Sequence, residues 1–304
     1  MILMPKQDWF RLLFVWNDGS VLRSISPQLF LMAIVSSVAV ATHGRIFGAK
    51  IPLNTTPFTL FGLTLAIFLA FRNNASYQRF DEARRLWGNM LISARELTSQ
   101  IICYVPASTD KIALAHSLIA FVYSLKHQLR GTDSSADLIR LLGRARSEPL
   151  RKRRYQPVAL LNAIRCELAD LQGRGLASGT QLWMFDLQLN ELGKSVGGCE
   201  RIASTPIPFA YNVLLHRTVY TYCVLLPFGL VDSTEFFTPL LCVFISYTLI
   251  ALEAIASEVA EPFSFAQNAL ALDAITRDIE RSVLELCDRE LPDEIEPIRP
   301  YLFT

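Results

Sequence analysis

The chain has 304 residues, of which 51% are hydrophobic and 19% charged, with a formal net charge of +1 and a mean hydropathy of +0.30. That hydropathy is high for a soluble protein of this length and ordinary for one with a few membrane helices, so the class is membrane protein. A near-neutral sum provides no overall field for nucleic acid or an acidic substrate; the six cysteines, scattered without a CxxC or Cys/His pair, argue against a zinc site or a disulfide framework and read as reduced, buried small hydrophobes.

In chain order, residues 4–18, MPKQDWFRLLFVWND, mix Trp9, Phe10, Leu13, Phe14 and Trp16 with Lys6 and Arg11. Two readings stand: an interfacial helix with its aromatic rings at headgroup level, or an amphipathic helix packed on protein. No cleavable leader pattern precedes the first long apolar run, which begins after Arg23, so targeting is expected from the membrane helices themselves. From Ser24 to Gly44 there is no charged residue. At about 1.5 Å per residue this covers the roughly 30 Å hydrocarbon core, giving the first transmembrane helix.

The second span is expected from about Pro57 to Phe71, with Asn54, Thr55 and Thr56 before Pro57 in the pattern of a helix cap with proline in the first turn. No glycine occurs between Gly62 and Gly88 and no proline follows Pro57 in this stretch, so the helix is expected to leave the membrane unbroken and run through Arg95. Leu63, Ile67 and Phe71 repeat every four residues and stack along one face. Spacing alone favours packing or lipid contact for this stripe and leaves open that it lines a path.

Residues 72–205 turn amphipathic, with apolar residues at three- and four-residue intervals in segments separated by Gly, Pro and Ser clusters. The run Arg151, Lys152, Arg153, Arg154 has no aromatic interleaving and belongs to no binding module. It reads as a solvated face or lipid-headgroup contact, and no nucleic-acid partner is expected. The third span, Ile207 to Val231, carries His216 and Arg217 in its interior. Such charge needs a polar partner, so Arg217 is assigned first to a structural salt bridge or carbonyl contact and second to a pore role. The fourth span, Phe236 to Leu252, continues into Glu253, Glu258 and Glu261 and breaks at Pro262. An amphipathic helix from Phe263, FSFAQNALALDAITRDIERSVLELC, and a proline-punctuated tail, PDEIEPIRPYLFT, close the chain.

The fold class is therefore an all-α membrane protein with four transmembrane helices and a helical cytosolic domain. Its parts are 1–71 (interfacial helix and spans one and two), 72–205 (cytosolic domain), 206–261 (spans three and four) and 262–304 (cytosolic helix and tail). Arg72, Arg79, Arg84 and Arg85 after span two, against no Lys or Arg from Val231 to Glu235, put both termini in the cytoplasm. There is no GxSxG, Walker loop, GxGxxG after a strand or HExxH, and the four histidines are dispersed, so no enzyme, cofactor or metal site is expected. Without an internal duplication a transporter is disfavoured. A channel or a membrane scaffold remains, and a channel with four spans per chain needs several subunits around an axis.

The segment FRNNASYQRFDEARRLWG, the later GGCERI followed by TPIPFAY, and EPF after the fourth span resemble prokaryotic bestrophins, in the same order and over nearly the whole chain. The resemblance implies a homopentameric ion channel in the cell's inner membrane, in contact with lipid, with one axial pore. It implies that Leu63, Ile67 and Phe71 form a narrow hydrophobic neck. A second constriction, the cytosolic aperture, falls at Leu182, at the start of the helix preceding the GGCERI turn, with Gln181 and Trp183 adjoining. Animal and plant relatives conduct chloride, and bacterial relatives favour monovalent cations such as sodium. The expectation leans to cations; an anion (chloride) channel of the same architecture and a non-conducting scaffold are the alternatives. Animal bestrophins carry an acidic run for calcium after the residues matching EPF. Here that position reads SFAQNALALD, and Asp273 alone is a poor substitute for clustered oxygen ligands, so calcium gating is not expected.

Overall fold

A computed structural model describes residues 21–46, 49–50, 55–106 and 108–297. The segment 4–18, the approach to the second helix at 51–54 and the end of the tail lie outside the described residues. The elements run α1 (Leu22–Ala41), β1 (Arg45–Ile46), β2 (Ala49–Lys50), α2 (Thr55–Tyr104), α3 (Lys111–Arg130), α4 (Ser135–Arg151), α5 (Gln156–Gly173), α6 (Gly179–Ser204), α7 (Phe209–Thr234), a 3-10 turn (Glu235–Phe237), α8 (Thr238–Ala260) and α9 (Leu272–Leu286). The two-residue strands pair antiparallel, Arg45 opposite Lys50 and Ile46 opposite Ala49. The remainder is helix and connection.

The chain divides into two compact units. One holds α1, the first half of α2 to Phe80, and Pro206–Glu261. In it α1, α7 and α8 pack on one another, with Ile25, Met32, Leu65, Leu215, Val219 and Ile250 as shared core. Pro27 sits inside α1, where its missing N–H leaves the Arg23 carbonyl without the usual helical donor; the Ser26 hydroxyl donates to that oxygen instead, at 3.0 Å. Three stretches are long and apolar enough to cross a membrane: Leu22–Ala41, Phe58–Tyr104 and Phe209–Ala260. The third contains both α7 and α8, which are divided at Glu235, where the backbone takes φ +43°. Large apolar side chains such as Phe30, Leu240 and Phe244 stand exposed on these helices, as suits surfaces meeting hydrocarbon rather than water.

The other unit comprises Asp81–Thr205 and the chain from Pro262 on. Its centre is α3, which begins with Asp110 accepting a hydrogen bond from the Ala113 amide at 3.0 Å and ends at left-handed Gly131, φ +65°. Every residue from Ser117 to Lys126 is buried, because α4, α5, α6 and α9 pack around this helix. A helix enclosed on all sides carries apolar residues all round rather than in a stripe. The second half of α2 buries Ala83, Trp87, Met90, Ala94 and Leu97.

The helix expected to run unbroken through Arg95 spans Thr55–Tyr104. Other boundaries move from expectation. The GGCERI segment, read as a turn, lies inside α6: a Cβ on Gly198 would stand 2.7 Å from both Leu86 methyls, so this glycine lets α6 approach α2 closely rather than end a helix. The last helix begins at Leu272, not at Phe263. Before it the chain turns on Leu270 N–H to Pro262 O (2.9 Å) and Ala269 N–H to Ala266 O (3.0 Å).

Candidate functional site

Within the first unit α2 has two unlike faces. Leu65, Leu69, Arg72 and Ser76 are buried, whereas Leu63, Ile67 and Phe71 are 59%, 48% and 64% exposed. At about 100° per residue, Leu65 lies roughly 200° round from Leu63, so the packed face and the open stripe are nearly opposite. Close approach fixes the packed side. A Cβ on Gly62 would meet the Tyr222 hydroxyl at 2.6 Å, and the Tyr222 ring stacks on Phe58 at 4.7 Å between centroids. The three expected neck residues thus share an uncovered apolar face in the single chain.

Leu182 stands half-buried in the first turn of α6. That turn is held by a capping box: Gln181 N–H donates to Ser178 Oγ at 3.2 Å, and Ser178 N–H donates to Gln181 Oε1 at 2.7 Å. The cap occupies the Gln181 side chain, and Trp183 is exposed. One turn along from Leu182, Asp186 accepts from Arg165 Nε at 2.6 Å, and Arg165 also donates to Asn190 Oδ1 at 2.9 Å. Leu182 and the neck residues lie in different units.

The strongest electrostatic feature was not foreseen. Arg72, the residue after Phe71, is 3% exposed and donates to Glu253 Oε1 at 2.9 Å and to Ser257 Oγ at 2.6 Å. A buried guanidinium needs such partners to offset its desolvation. The available signal was Glu253, the first carboxylate after the fourth apolar run and in the same unbroken helix. The salt bridge expected of Arg217 does not form among the described residues. Arg217 is exposed, and its neighbour His216 is the residue that approaches Glu253, with Nδ1 at 3.6 Å; α7 turns Leu215 and Val219 into the core, which points position 217 outward.

In the second unit Asp273 sits between Lys126 Nζ at 2.9 Å and Arg130 Nη1 at 2.5 Å. Burial pushes its carboxyl pKa up, but the hydrogen bonds and charges of Lys126 and Arg130 outweigh this and hold it below the ordinary value. The buried Glu280 takes the Tyr123 hydroxyl and Arg140 Nη1, each at 2.5 Å. Burial first, and that hydrogen bond second, raise the Tyr123 phenol above its ordinary range. Among the described residues no group of three or more His, Cys, Asp or Glu could hold a metal ion.

A helical chain with long apolar stretches, an ion pair buried among them and an uncovered apolar stripe along one helix defines an integral membrane protein. Comparison with known proteins makes the class specific. Residues 1–285 match the family model described as Bacterial/Fungal Bestrophin protein. The chain is 43% identical over 289 residues, 94% of each chain, to a voltage-dependent anion channel-forming protein of Ralstonia nicotianae. It is 39% identical over the whole of both chains to the voltage-dependent anion channel-forming protein YneE of Escherichia coli. A crystal structure of a bacterial bestrophin homologue from Klebsiella pneumoniae superposes with a TM-score of 0.85 at 41% identity, covering 88% of this chain and 99% of that one. The chain belongs to the bestrophin family, as the resemblance implied.

Proposed function

We propose that this protein is a bestrophin-type ion channel. Five copies surround one pore, each contributes four membrane helices, and residues 72–205 and 262–304 lie in the cytoplasm with both termini. Leu63, Ile67 and Phe71 form the neck and Leu182 the cytosolic aperture. The observation that carries this reading is the stripe itself: three apolar side chains at four-residue spacing stay uncovered on the face of α2 opposite the one packed on Tyr222, in a chain of this family. Rings of such side chains gate by dewetting or pass partly dehydrated ions. Ile67→Ala and Leu182→Ala, each reconstituted in planar bilayers, are expected to change conductance or selectivity. Unchanged currents in both variants would overturn the assignment, and absence of any ion flux from the purified parent would favour a non-conducting scaffold.

The relatives' names favour an anion as the permeant ion. The cation reading rests on a different observation: Asp186 is the first charged side chain one turn beyond Leu182 on α6, although Arg165 holds it. The reversal potential under a salt gradient has opposite signs for the two. Calcium-independent opening is part of the proposal, since Asp273 is already engaged by Lys126 and Arg130. Currents that switch on with micromolar calcium would refute it.

A further inference from the structure

A cavity of about 420 Å³ opens in the first unit among Arg72, Asn212, Arg217, Glu253 and Glu261. Two polar atoms in its lining residues are buried and have no hydrogen-bond partner: Arg72 Nε, a donor, and Asn212 Oδ1, an acceptor. Buried donors and acceptors are nearly always satisfied, so an orphaned pair on one cavity calls for an occupant carrying both an acceptor and a donor. Fixed charge gives the same pattern. Arg72 and Glu253 neutralise each other, which leaves exposed Arg217 and exposed Glu261 as one positive and one negative group. The cavity is also bounded by Pro206 and Ile207, just before α7 begins, and by Ala260, where α8 ends. The positive end of one helix dipole and the negative end of another therefore meet there. The Ala260 carbonyl already accepts from Arg79 Nε at 3.0 Å, so the Glu261 carboxylate is the acceptor left for a cation.

The level in the membrane is set by where the apolar runs end. The second run stops at Phe71, the fourth at Leu252, and the third starts at about Phe209, so all three change to polar sequence around this cavity. That is the depth of the boundary between acyl chain and headgroup. Arg217 lies eight residues into α7, about 12 Å along the axis, within reach of the boundary for a long side chain that extends toward it.

We propose that this cavity holds the headgroup of a zwitterionic phospholipid of the phosphoethanolamine class. The phosphate is bound by Arg217 and the free N–H of Arg72, and the primary ammonium by Glu261 and the Asn212 carbonyl oxygen. A primary ammonium suits the site because it donates hydrogen bonds to both acceptors, which a trimethylammonium cannot do. The proposal rests on the membrane reading above and not on conduction.

The test is lipid retention by the full-length protein. Purified protein is loaded into nanodiscs of equimolar phosphatidylethanolamine, phosphatidylcholine and phosphatidylglycerol, re-extracted in mild detergent, and its co-purifying lipid is counted by native mass spectrometry. Phosphatidylethanolamine is expected to be retained about tenfold over phosphatidylcholine, the weight of one charge-assisted hydrogen bond. Arg217→Gln and Glu261→Gln change exposed residues and should fold; Arg217→Gln, at the phosphate that all three lipids share, should lower the retention of all of them, and Glu261→Gln, at the ammonium, should erase the preference for phosphatidylethanolamine over phosphatidylcholine. Equal retention of the three lipids by the parent, unchanged retention in Arg217→Gln, or a preference that survives Glu261→Gln overturns the proposal. So does stabilisation of the protein by soluble glycerophosphoethanolamine without lipid retention, which would assign the cavity to a free metabolite. Insertion into the nanodisc reports separately on the membrane reading, and ion flux on the channel.

Discussion

Glu253→Gln tests whether the buried ion pair stabilises the membrane-type unit. The Arg72 and Glu253 side chains are 3% and 12% exposed, so the substitution removes the counter-charge bonded to a largely desolvated guanidinium. Removing one partner of a buried pair costs about 3–5 kcal/mol. Glutamine retains an acceptor for Arg72, and the bond to Ser257 at 2.6 Å survives, so the loss falls near the lower end of that range. With about 2 °C per kcal/mol for a chain of this size, the midpoint should drop by roughly 6 °C. The double variant Arg72→Met/Glu253→Leu removes both charges and should recover most of the loss, since an apolar pair of similar volume often equals or exceeds a buried ion pair. The assay is intrinsic fluorescence during heating in detergent, with monodispersity after heating as a second reading. A Glu253→Gln protein that melts with the parent, or a double variant no better than the single one, would refute the reasoning.

Glycine positions separate close approach from mere helix weakness. Gly62→Ala drives a methyl toward the Tyr222 hydroxyl, 2.6 Å away, and should cost about 1–3 kcal/mol in thermal stability; Gly88→Ala meets nothing within 4 Å and should gain about 0.5–1 kcal/mol from helix propensity. Asp273 sets an acid limit on the other unit. Its folded pKa lies below the ordinary value, so its contribution is fully present above the unfolded carboxylate pKa of about 4 and is lost as pH falls through the lower folded value. Asp273→Ala should therefore lower the midpoint at neutral pH, and the difference should shrink progressively as pH falls below the unfolded carboxylate pKa, as followed by circular dichroism. Leu240→Ala with Phe244→Ala, at the same four-residue spacing on α8, should leave single-channel conductance unchanged where Ile67→Ala alters it.

The helices were legible where one local signal decided them. The charge-free run from Ser24, the uninterrupted stretch after Gly62 and the proline at position 262 mark helices that the structure contains, with ends displaced by a few residues. Ends were harder because they depend on partners distant in sequence. Gly198 reads locally as a breaker, yet Leu86 occupies the space its side chain would take, and the pair is separated by more than a hundred positions. The late start of α9 has a related origin, since the SFAQNALA segment has an acceptable helical pattern yet forms a turn held by the Leu270 N–H on the Pro262 carbonyl and the Ala269 N–H on the Ala266 carbonyl. The Arg72–Glu253 pair was hidden for a different reason: each charge stands at the end of an apolar run, where it is naturally read as the start of solvent.

For the stripe, exposure alone decides nothing, because a helix facing lipid leaves apolar side chains equally uncovered. Leu240 and Phe244 on α8 are 69% and 66% exposed, slightly more than Leu63, Ile67 and Phe71. The two faces differ in the residues one and two turns further along. From Phe244 the exposed side of α8 continues through Tyr247 and Thr248, whose hydroxyl is taken up by the Phe244 carbonyl at 3.1 Å, to Leu252 and Ile255, as a surface against hydrocarbon should. From Phe71 the exposed side of α2 passes through Asn74, Ala75, Tyr77 and Gln78, among which the two uncharged amides can solvate an ion of either sign. Meanwhile the first charge of α2 after the stripe, Arg72, is turned inward and neutralised by Glu253. An apolar stripe followed by uncharged amides, with the arginine of the same helix turned inward, is an order that suits an ion leaving a dewetted neck. The inward pairing of Arg72 thus keeps a fixed positive charge away from the mouth of the proposed neck while stabilising the helix that forms it.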